Sequence, residues 1–398
     1  MTPQVLHKLQ QLQQQRTEPF CAYVYDLTAL RQHTQAMRRA LPPGCELFYA
    51  AKANPEAAIL RTLSADVDGF EAASGGELNW LRQQVADKPL IFGGPGKLES
   101  ELAQAIEQGV EVLHVESLTE LNRLQAVARR SGQPVAVLLR MNIALEGIGG
   151  TRLMMGGKPT PFGLDEQELP AALRAIAASP HIRLRGFHFH LMSHQLDVDN
   201  HLALIRLYLD KVHDWCQRWQ LTIDLINVGG GIGINYQQPE CHFDWSQFCQ
   251  RLPDITQRSQ AHGWTLRFEC GRFMTAACGY YVMEVLDVKK NLGEWFAIGR
   301  GGTHHFRTPA AQSHNHPFSV LRRAQNEPWL RDQPVTLVGQ LCTPKDVLAR
   351  QQPVAALAPG DWLVFSLAGA YAWNISHQNF LMHSPPEVFW LDDDAASA

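Results

Sequence analysis

Lys52 closes the apolar run Leu47-Phe48-Tyr49-Ala50-Ala51, which predicts an ammonium at the mouth of a strand, in a poorly hydrated place. Desolvation there favours the neutral amine, the form that a Schiff-base lysine uses. A lysine snorkelling out of a rim is the bland alternative. Gly229-Gly230-Gly231 follows another apolar run and offers backbone N–H groups to a phosphate with no side chain in the way. A tight turn needing positive φ accounts for the same triplet. Arg272, three residues beyond Glu269, supplies a fork for that phosphate. Glu269 offers either a carboxylate for a protonated pyridine nitrogen, which strengthens an electron sink, or an ordinary ion pair with Arg272.

His188 and His190 lie two apart, so on one strand they are expected to point the same way. Such a pair suits a metal ion, or one ring stacks on a flat aromatic group, or both are satisfied core histidines. Cys342, within Gly339-Gln340-Leu341-Cys342-Thr343-Pro344-Lys345-Asp346, stands beside polar groups as a general acid or as a small buried hydrophobe. Gly301-Gly302-Thr303-His304-His305-Phe306-Arg307 and Gly369-Ala370-Tyr371 are further glycine-flanked polar patches, or plain turns.

The elements that position these residues follow from the apolar pattern. Eight short β-branched or aromatic runs alternate with stretches of helical periodicity: Glu46–Ala50, Gly69–Ala73, Leu90–Gly94, Glu111–Val115, Ala136–Asn142, Gly186–His190, Leu225–Gly230 and Leu266–Cys270. Eight strand-then-helix repeats predict a (β/α)8 barrel, whose active site lies at the C-terminal ends of its strands. Lys52, Glu71, His190, the glycine triplet and Glu269 all fall at such ends. A doubly wound open sheet is the structural alternative. Beyond Gly279 strands predominate: Tyr280–Lys290, Glu294–Arg300, Pro334–Leu341, Trp362–Ala370 and Glu387–Leu391. The expected division is a barrel over 28–275 and a β-rich domain over 276–398, with 18–27 lending the latter a strand, Phe20–Tyr25.

The 398 residues are 45% hydrophobic and 19% charged, enough to bury a large interior and to exclude general disorder. Lys plus Arg number 35 against 39 Asp plus Glu, with no long run of one sign, which points away from nucleic acid and from anionic membrane surfaces. The eight cysteines form no Cys-x-x-Cys pair, so reduced thiols and a cytoplasmic setting are expected. The Gln-rich stretch Met1–Arg16 lacks the apolar centre of a leader, and no apolar run reaches membrane-spanning length; neither export nor insertion is expected.

Taken in order, Tyr49-Ala50-Ala51-Lys52-Ala53-Asn54, Gly69-Phe70-Glu71-Ala72-Ala73-Ser74-Gly75-Gly76-Glu77, Phe189-His190-Leu191-Met192-Ser193, Val228-Gly229-Gly230-Gly231-Ile232-Gly233, Glu269-Cys270-Gly271-Arg272, Cys342-Thr343-Pro344-Lys345-Asp346 and Gly369-Ala370-Tyr371 resemble the fold-type III pyridoxal-phosphate decarboxylases, the family of diaminopimelate and ornithine decarboxylases. The resemblance implies an alanine-racemase-like barrel, a C-terminal β domain, pyridoxal 5′-phosphate as cofactor and a homodimer with active sites at its interface. It implies that Lys52 binds the cofactor covalently, that His190 stacks on its ring, and that Ser193, Gly229, Gly230, Gly231, Arg272 and Tyr371 hold its phosphate. Glu269 then meets the pyridine nitrogen, Glu71 is an acidic residue near the cofactor, Glu77 belongs to the same loop, and Cys342 is the acid that protonates the substrate carbon, reaching it from the neighbouring subunit.

One departure from the family pattern is informative. The diaminopimelate and ornithine enzymes carry an acidic residue after the cysteine, for the distal cation of the substrate; here Thr343 follows Cys342. The chain resembles instead the branch serving siderophore and related secondary-metabolite pathways, whose substrates are amino acids joined to a carboxylate-rich or carrier group. That resemblance places Arg140, His304, His305, Arg307, Thr343 and Asp346 on the substrate side, the arginines and histidines meeting the anionic part of a citryl-amino-acid conjugate. The alternatives are a decarboxylase of free diaminopimelate, ornithine or lysine, a racemase on the same fold, a metal-dependent barrel hydrolase built on His188 and His190, and a non-catalytic carrier of the cofactor.

Overall fold

The computed structural model describes residues 1–145, 153–154 and 156–392. Eight strands, Cys45–Ala50, Gly69–Ala72, Leu90–Phe92, Val112–Val115, Val135–Asn142, Ile182–His188, Leu225–Gly229 and Thr265–Cys270, each pair in parallel with the next. The eighth returns to the first, with Glu269 opposite Phe48 and Cys270 opposite Tyr49. The sheet is therefore a closed barrel and the open-sheet alternative is excluded. Phe48, Ile91, Val112, Leu138 and Leu225 pack together as a dry cluster. At the N-terminal end of the barrel the buried Arg267 meets Glu46 and Glu111, both at 2.7 Å, and Arg185 joins Glu111 at 2.8 Å. Ion pairs at this face belong to stability rather than to catalysis.

The intervening helices start where the sequence supplies caps. Ser74 accepts from the Glu77 N–H and Ser117 from the Glu120 N–H, each at 3.1 Å, and Asp197 accepts from Asn200 at 2.8 Å, satisfying N–H groups that have no helical partner. Gly186 has the reverse role, keeping two strands close. Its φ is +156°, and an added Cβ would stand 1.7 Å from the Leu225 carbonyl oxygen of the neighbouring strand. Since backbone, not a flexible side chain, occupies that space, Gly186→Ala is expected to cost about 3 kcal/mol or more and to lower the melting temperature by about 6–12 °C. Thermal denaturation followed by circular dichroism checks this, and an unchanged midpoint would contradict the packing argument.

A second compact unit comprises Met1–Gln32, Asn235–Cys241 and the residues from Thr275 onward, the barrel unit being His33–Ile234 with His242–Met274. Beside the expected boundaries of 28, 275 and 276, this division also groups the N-terminal segment through Gln32 and the short stretch 235–241 with the β-rich unit. The strand Cys21–Asp26 lies between Gly279–Asn291, antiparallel, and Glu387–Leu391, parallel. Gly279–Asn291 also pairs with Glu294–Gly299 and Trp362–Phe365. Val5, Leu9 and Leu12 of the helix Pro3–Gln15 pack with Phe20, Val24, Val282 and Trp362, the rings of Phe20 and Trp362 stacking at 4.3 Å. Two strands of this unit differ from the predicted set, Phe318–Leu321 and the eleven-residue Val347–Leu357. All eight cysteines are free thiols. Among the described residues no helix is long and apolar enough to cross a membrane.

Candidate active site

Lys52 stands in a short 3-10 turn, Ala51–Ala53, directly after the first barrel strand. Its Nζ donates to both oxygens of Glu71, at 2.8 and 3.0 Å, because Glu71 ends the second strand in register with Ala50. The predicted dry setting of this amine is not met: the side chain is 41% exposed and it faces a carboxylate, which favours the ammonium. Glu71 itself is buried. Burial raises its pKa, Lys52 opposes that rise, and the nearby negative charge of Glu269 adds to it. Glu77, from the same motif, accepts from the Ala73 N–H at 2.7 Å and so serves the turn, not the mouth.

Glu269 ends the eighth strand, buried among polar partners. The Asn227 amide donates to its Oε1 at 2.6 Å, while His114 Nε2 and His188 Nε2 stand 3.6 and 3.4 Å from its two oxygens. The two imidazoles stack on each other with centroids 4.1 Å apart. Burial works to raise the pKa of Glu269, but His114, the Lys52 charge, His190 and the Asn227 hydrogen bond together hold it below the ordinary carboxylate value. His114 and His188 are pushed well below the usual histidine range, first by burial and then by neighbouring positive charge. Both nitrogens of His188 are buried without a hydrogen-bond partner among the described residues. The result is an ionised carboxylate held rigidly in a low-dielectric barrel end. It does not pair with Arg272, as one reading allowed: Asn227 and the histidines surround it. Asn227 and His114 were not singled out in the sequence, although His114 is the one polar residue of Val112–Val115, a signal that alternation along the strand makes visible.

Beyond the seventh strand the glycine triplet threads between three other segments. A Cβ at Gly229 would stand 2.4 Å from the Phe189 carbonyl oxygen, one at Gly230 2.0 Å from that of Glu269, and one at Gly231 2.3 Å from that of Met192. Gly229 and Gly231 have φ of +70° and +82°. The turn requires glycine, as the second reading of the triplet expected, and it carries no side chain. Gly230 donates its N–H to His190 Nδ1 at 3.3 Å, and His190 Nε2 lies 3.5 Å from Ser193 Oγ. His188 and His190 therefore do not act as the pair their spacing suggested. The strand ends at His188, His188 faces Glu269, and His190 turns to the glycines and Ser193. Arg272 opens the short helix Arg272–Thr275 that follows Glu269.

Arg140, near the end of the fifth strand, is buried. It donates to Glu116 at 2.9 Å, and its guanidinium covers the Phe162 ring at 4.9 Å.

In the β-rich unit, Cys342 and Arg307 are exposed and Thr343 half-buried. Arg307 and Thr343 line one cavity. Tyr371 adopts φ +49°, and its carbonyl accepts from the Thr308 hydroxyl. His304, His305 and Asp346 do not line that cavity. His304 and His305 are fully buried, off the wall of that cavity. Burial holds them down to about 4 and about 3, too low for either ring to carry the charge an anion would seek. His305 meets the Ser384 carbonyl and the Tyr281 hydroxyl at 3.1 and 3.2 Å. Asp346 is also buried, accepting from the Thr303 and Leu341 N–H groups at 2.6 and 2.8 Å; it braces the loop that carries Cys342.

Residues 27–276 match the family model of the pyridoxal-dependent decarboxylase, pyridoxal binding domain. The chain belongs to the pyridoxal-dependent decarboxylases. It is 45% identical over 392 residues to the 2-[(L-alanin-3-ylcarbamoyl)methyl]-2-hydroxybutanedioate decarboxylase of Staphylococcus aureus, covering 96% of each chain. It is 30% identical over 373 residues to the L-glutamyl-[BtrI acyl-carrier protein] decarboxylase of Niallia circulans, covering 92% of this chain and 87% of that one. The crystal structure of diaminopimelate decarboxylase from Helicobacter pylori complexed with L-lysine superimposes with a TM-score of 0.84 at 26% identity, over 97% and 94% of the two chains. This decarboxylase is thus a pyridoxal-phosphate enzyme with the barrel and β-domain architecture of its relatives. Its own residues fit that cofactor: an amine at a strand end, an ionised buried carboxylate across the mouth, and a glycine triplet whose backbone no side chain obstructs. Membership of this family removes the racemase, hydrolase and carrier alternatives.

Proposed function

We propose that this decarboxylase removes the α-carboxylate of an amino acid whose side chain is amide-linked to a citrate-type, carboxylate-rich group, yielding the corresponding amine and carbon dioxide. The observation that carries the reading is the 45% identity across 96% of both chains with the staphylococcal enzyme, whose named substrate is a 2-hydroxybutanedioate joined through a carbamoyl link to an alanine side chain. Thr343 supports it, since an uncharged residue beside Cys342 gives no counter-charge to the distal ammonium of a free diamino acid. Such a conjugate belongs with the making of siderophores and related secondary metabolites.

Each group has a task its geometry suits. Lys52 Nζ, steered by Glu71 at 2.8 Å, is the amine that would hold the cofactor. Ser193, the glycine triplet, Arg272 and Tyr371 would hold the phosphate, and His190 would hold the ring. The bound cofactor supplies an electron sink for the pair released as the Cα–carboxylate bond breaks. Glu269, ionised and anchored by Asn227 at 2.6 Å, holds a proton on the ring nitrogen. The Cys342 thiol, exposed in the monomer, delivers a proton to Cα. It does so in a second copy of the chain, so that the enzyme works as a homodimer.

Mass spectrometry of a citryl-diaminopropionate conjugate beside free diaminopimelate, ornithine and lysine tests the substrate. Loss of carbon dioxide from the conjugate is expected, and faster release from a free diamino acid would overturn the proposal. Cys342→Ala is expected to slow turnover by about 10²-fold, the scale of a lost general acid. Mixing the slowed Cys342→Ala enzyme with inactive Lys52→Ala enzyme should raise activity above that of either alone through hybrid dimers; no gain after exchange of subunits would count against the shared site.

A further inference from the structure

The β-rich unit holds a cavity of about 690 Å³, a volume typical of small-molecule sites. Five basic side chains contribute to its wall, Arg307, His314, Lys345, Arg350 and His377, and no Asp or Glu does. The chain as a whole has more acidic than basic residues, 39 against 35, so this wall is a local reversal of charge. Arg307, Lys345, Arg350 and His377 are exposed, and among the described residues none of the three long cations pairs with a carboxylate. The nearest acid in sequence, Asp346, spends its oxygens on the Thr303 and Leu341 N–H groups at 2.6 and 2.8 Å. It is buried and is not part of the cavity wall.

The wall is built, not incidental. Asn315 clamps the Arg350 backbone from both sides, accepting from its N–H at 2.8 Å and donating to its carbonyl at 3.2 Å. The His314 ring stacks on Tyr236 at 4.7 Å with a 6° interplanar angle, and its Nε2 meets His316 Nδ1 at 3.1 Å. Like charges gathered in one concavity repel, and an anionic ligand relieves that repulsion. Planar guanidinium forks match carboxylates, and an ammonium adds a point charge.

We propose that Arg307, Lys345 and Arg350, with His314 and His377, form the subsite for the polycarboxylate half of the substrate. The proposal rests on the reading of the function above and deepens it. Thr343, on the same wall, directly follows Cys342, so the subsite begins one residue from the group assigned to protonate Cα. It replaces the buried His304 and His305 with cations that face open space.

Calorimetric titration of the holoenzyme with citrate alone, at low salt, tests the subsite without turnover. Saturable binding is expected. Lys345→Ala and Arg350→Ala should each weaken it about tenfold, the worth of one charge-assisted contact, while Arg331→Ala, a surface cation elsewhere on the β-rich unit, should not. Absorbance of the bound cofactor and the melting temperature of each variant confirm that it is folded and loaded. No citrate binding by the parent enzyme, equal binding by both variants, or equally tight binding of inorganic phosphate at matched ionic strength would each overturn the assignment. KM for the citryl conjugate should rise about tenfold in either variant with kcat nearly kept, as for contacts made equally before and during the reaction. If the parent enzyme binds citrate in this way yet releases no carbon dioxide from the conjugate, the proposed substrate fails and the subsite stands.

Discussion

Lys52→Ala is expected to abolish decarboxylation, lowering kcat by about three orders of magnitude or more, as for loss of a covalent catalyst. Borohydride reduction of the parent enzyme should leave a pyridoxyl group on the peptide containing Lys52, and the variant should leave none. No neighbouring amine can take over. Lys97, a buried lysine of the barrel unit, is committed to Glu120 at 2.7 Å and to the Gly94 and His114 carbonyls. Lys52→Arg should fail as well, because a guanidinium keeps its proton and cannot offer a free amine pair. Glu71→Gln separates charge from position: it leaves a hydrogen-bond acceptor for Nζ while removing the attraction that favours the ammonium. An active Lys52→Ala enzyme, or an adduct on another lysine, would remove the basis of the mechanism.

Glu269→Gln is expected to lower kcat by about 10²–10³-fold, the scale of one preorganised electrostatic contact, with little loss of stability. The glutamine carbonyl can still accept from the Asn227 amide, which now approaches Glu269 Oε1 at 2.6 Å, and Asn227 Oδ1 can still accept from Gly229 N–H at 2.9 Å. What disappears is the negative charge. Burial alone would favour the protonated acid, but His114, Lys52, His190 and Asn227 keep it ionised; a neutral amide has no such charge to stabilise a proton on the ring nitrogen. Cofactor content from absorbance and steady-state kinetics distinguish the outcomes. A variant with full cofactor and unchanged kcat would show that this carboxylate is a packing group only.

Asn227→Ala probes the same carboxylate from behind. It leaves the charge in place and takes away the donor that orients it, so a fall in kcat at constant cofactor content is expected, smaller than that of Glu269→Gln.

The barrel strands were legible because a strand buried on both faces reads as a short apolar run. Runs such as Leu225-Ile226-Asn227-Val228 and Leu266-Arg267-Phe268 end at residues whose polarity breaks the pattern. The strand Val347–Leu357 was not legible. Its segment Ala349-Arg350-Gln351-Gln352-Pro353 is polar and carries a proline, and it is tolerated because among the described strands this one pairs only with Leu330–Val338 and so lies at an edge of the sheet. The opening helix was hidden by its glutamines. Only Val5, Leu9 and Leu12 enter the core, a spacing too sparse to announce an element until Phe20 and Trp362 supply the surface it covers.

The sequence by itself determined the chemistry: which amine, which carboxylate and which bare backbone are available, since these are properties of residue types in a fixed order. Tertiary structure alone decided their partners. Lys52 met Glu71 because adjacent parallel strands end in register, His188 and His190 parted because the strand stops between them, and His304 and His305 sank into a core while Lys345 and Arg350 lined open space. Such pairings join positions far apart in the chain, where closure of the barrel and burial set distance and dielectric, and no local pattern encodes either.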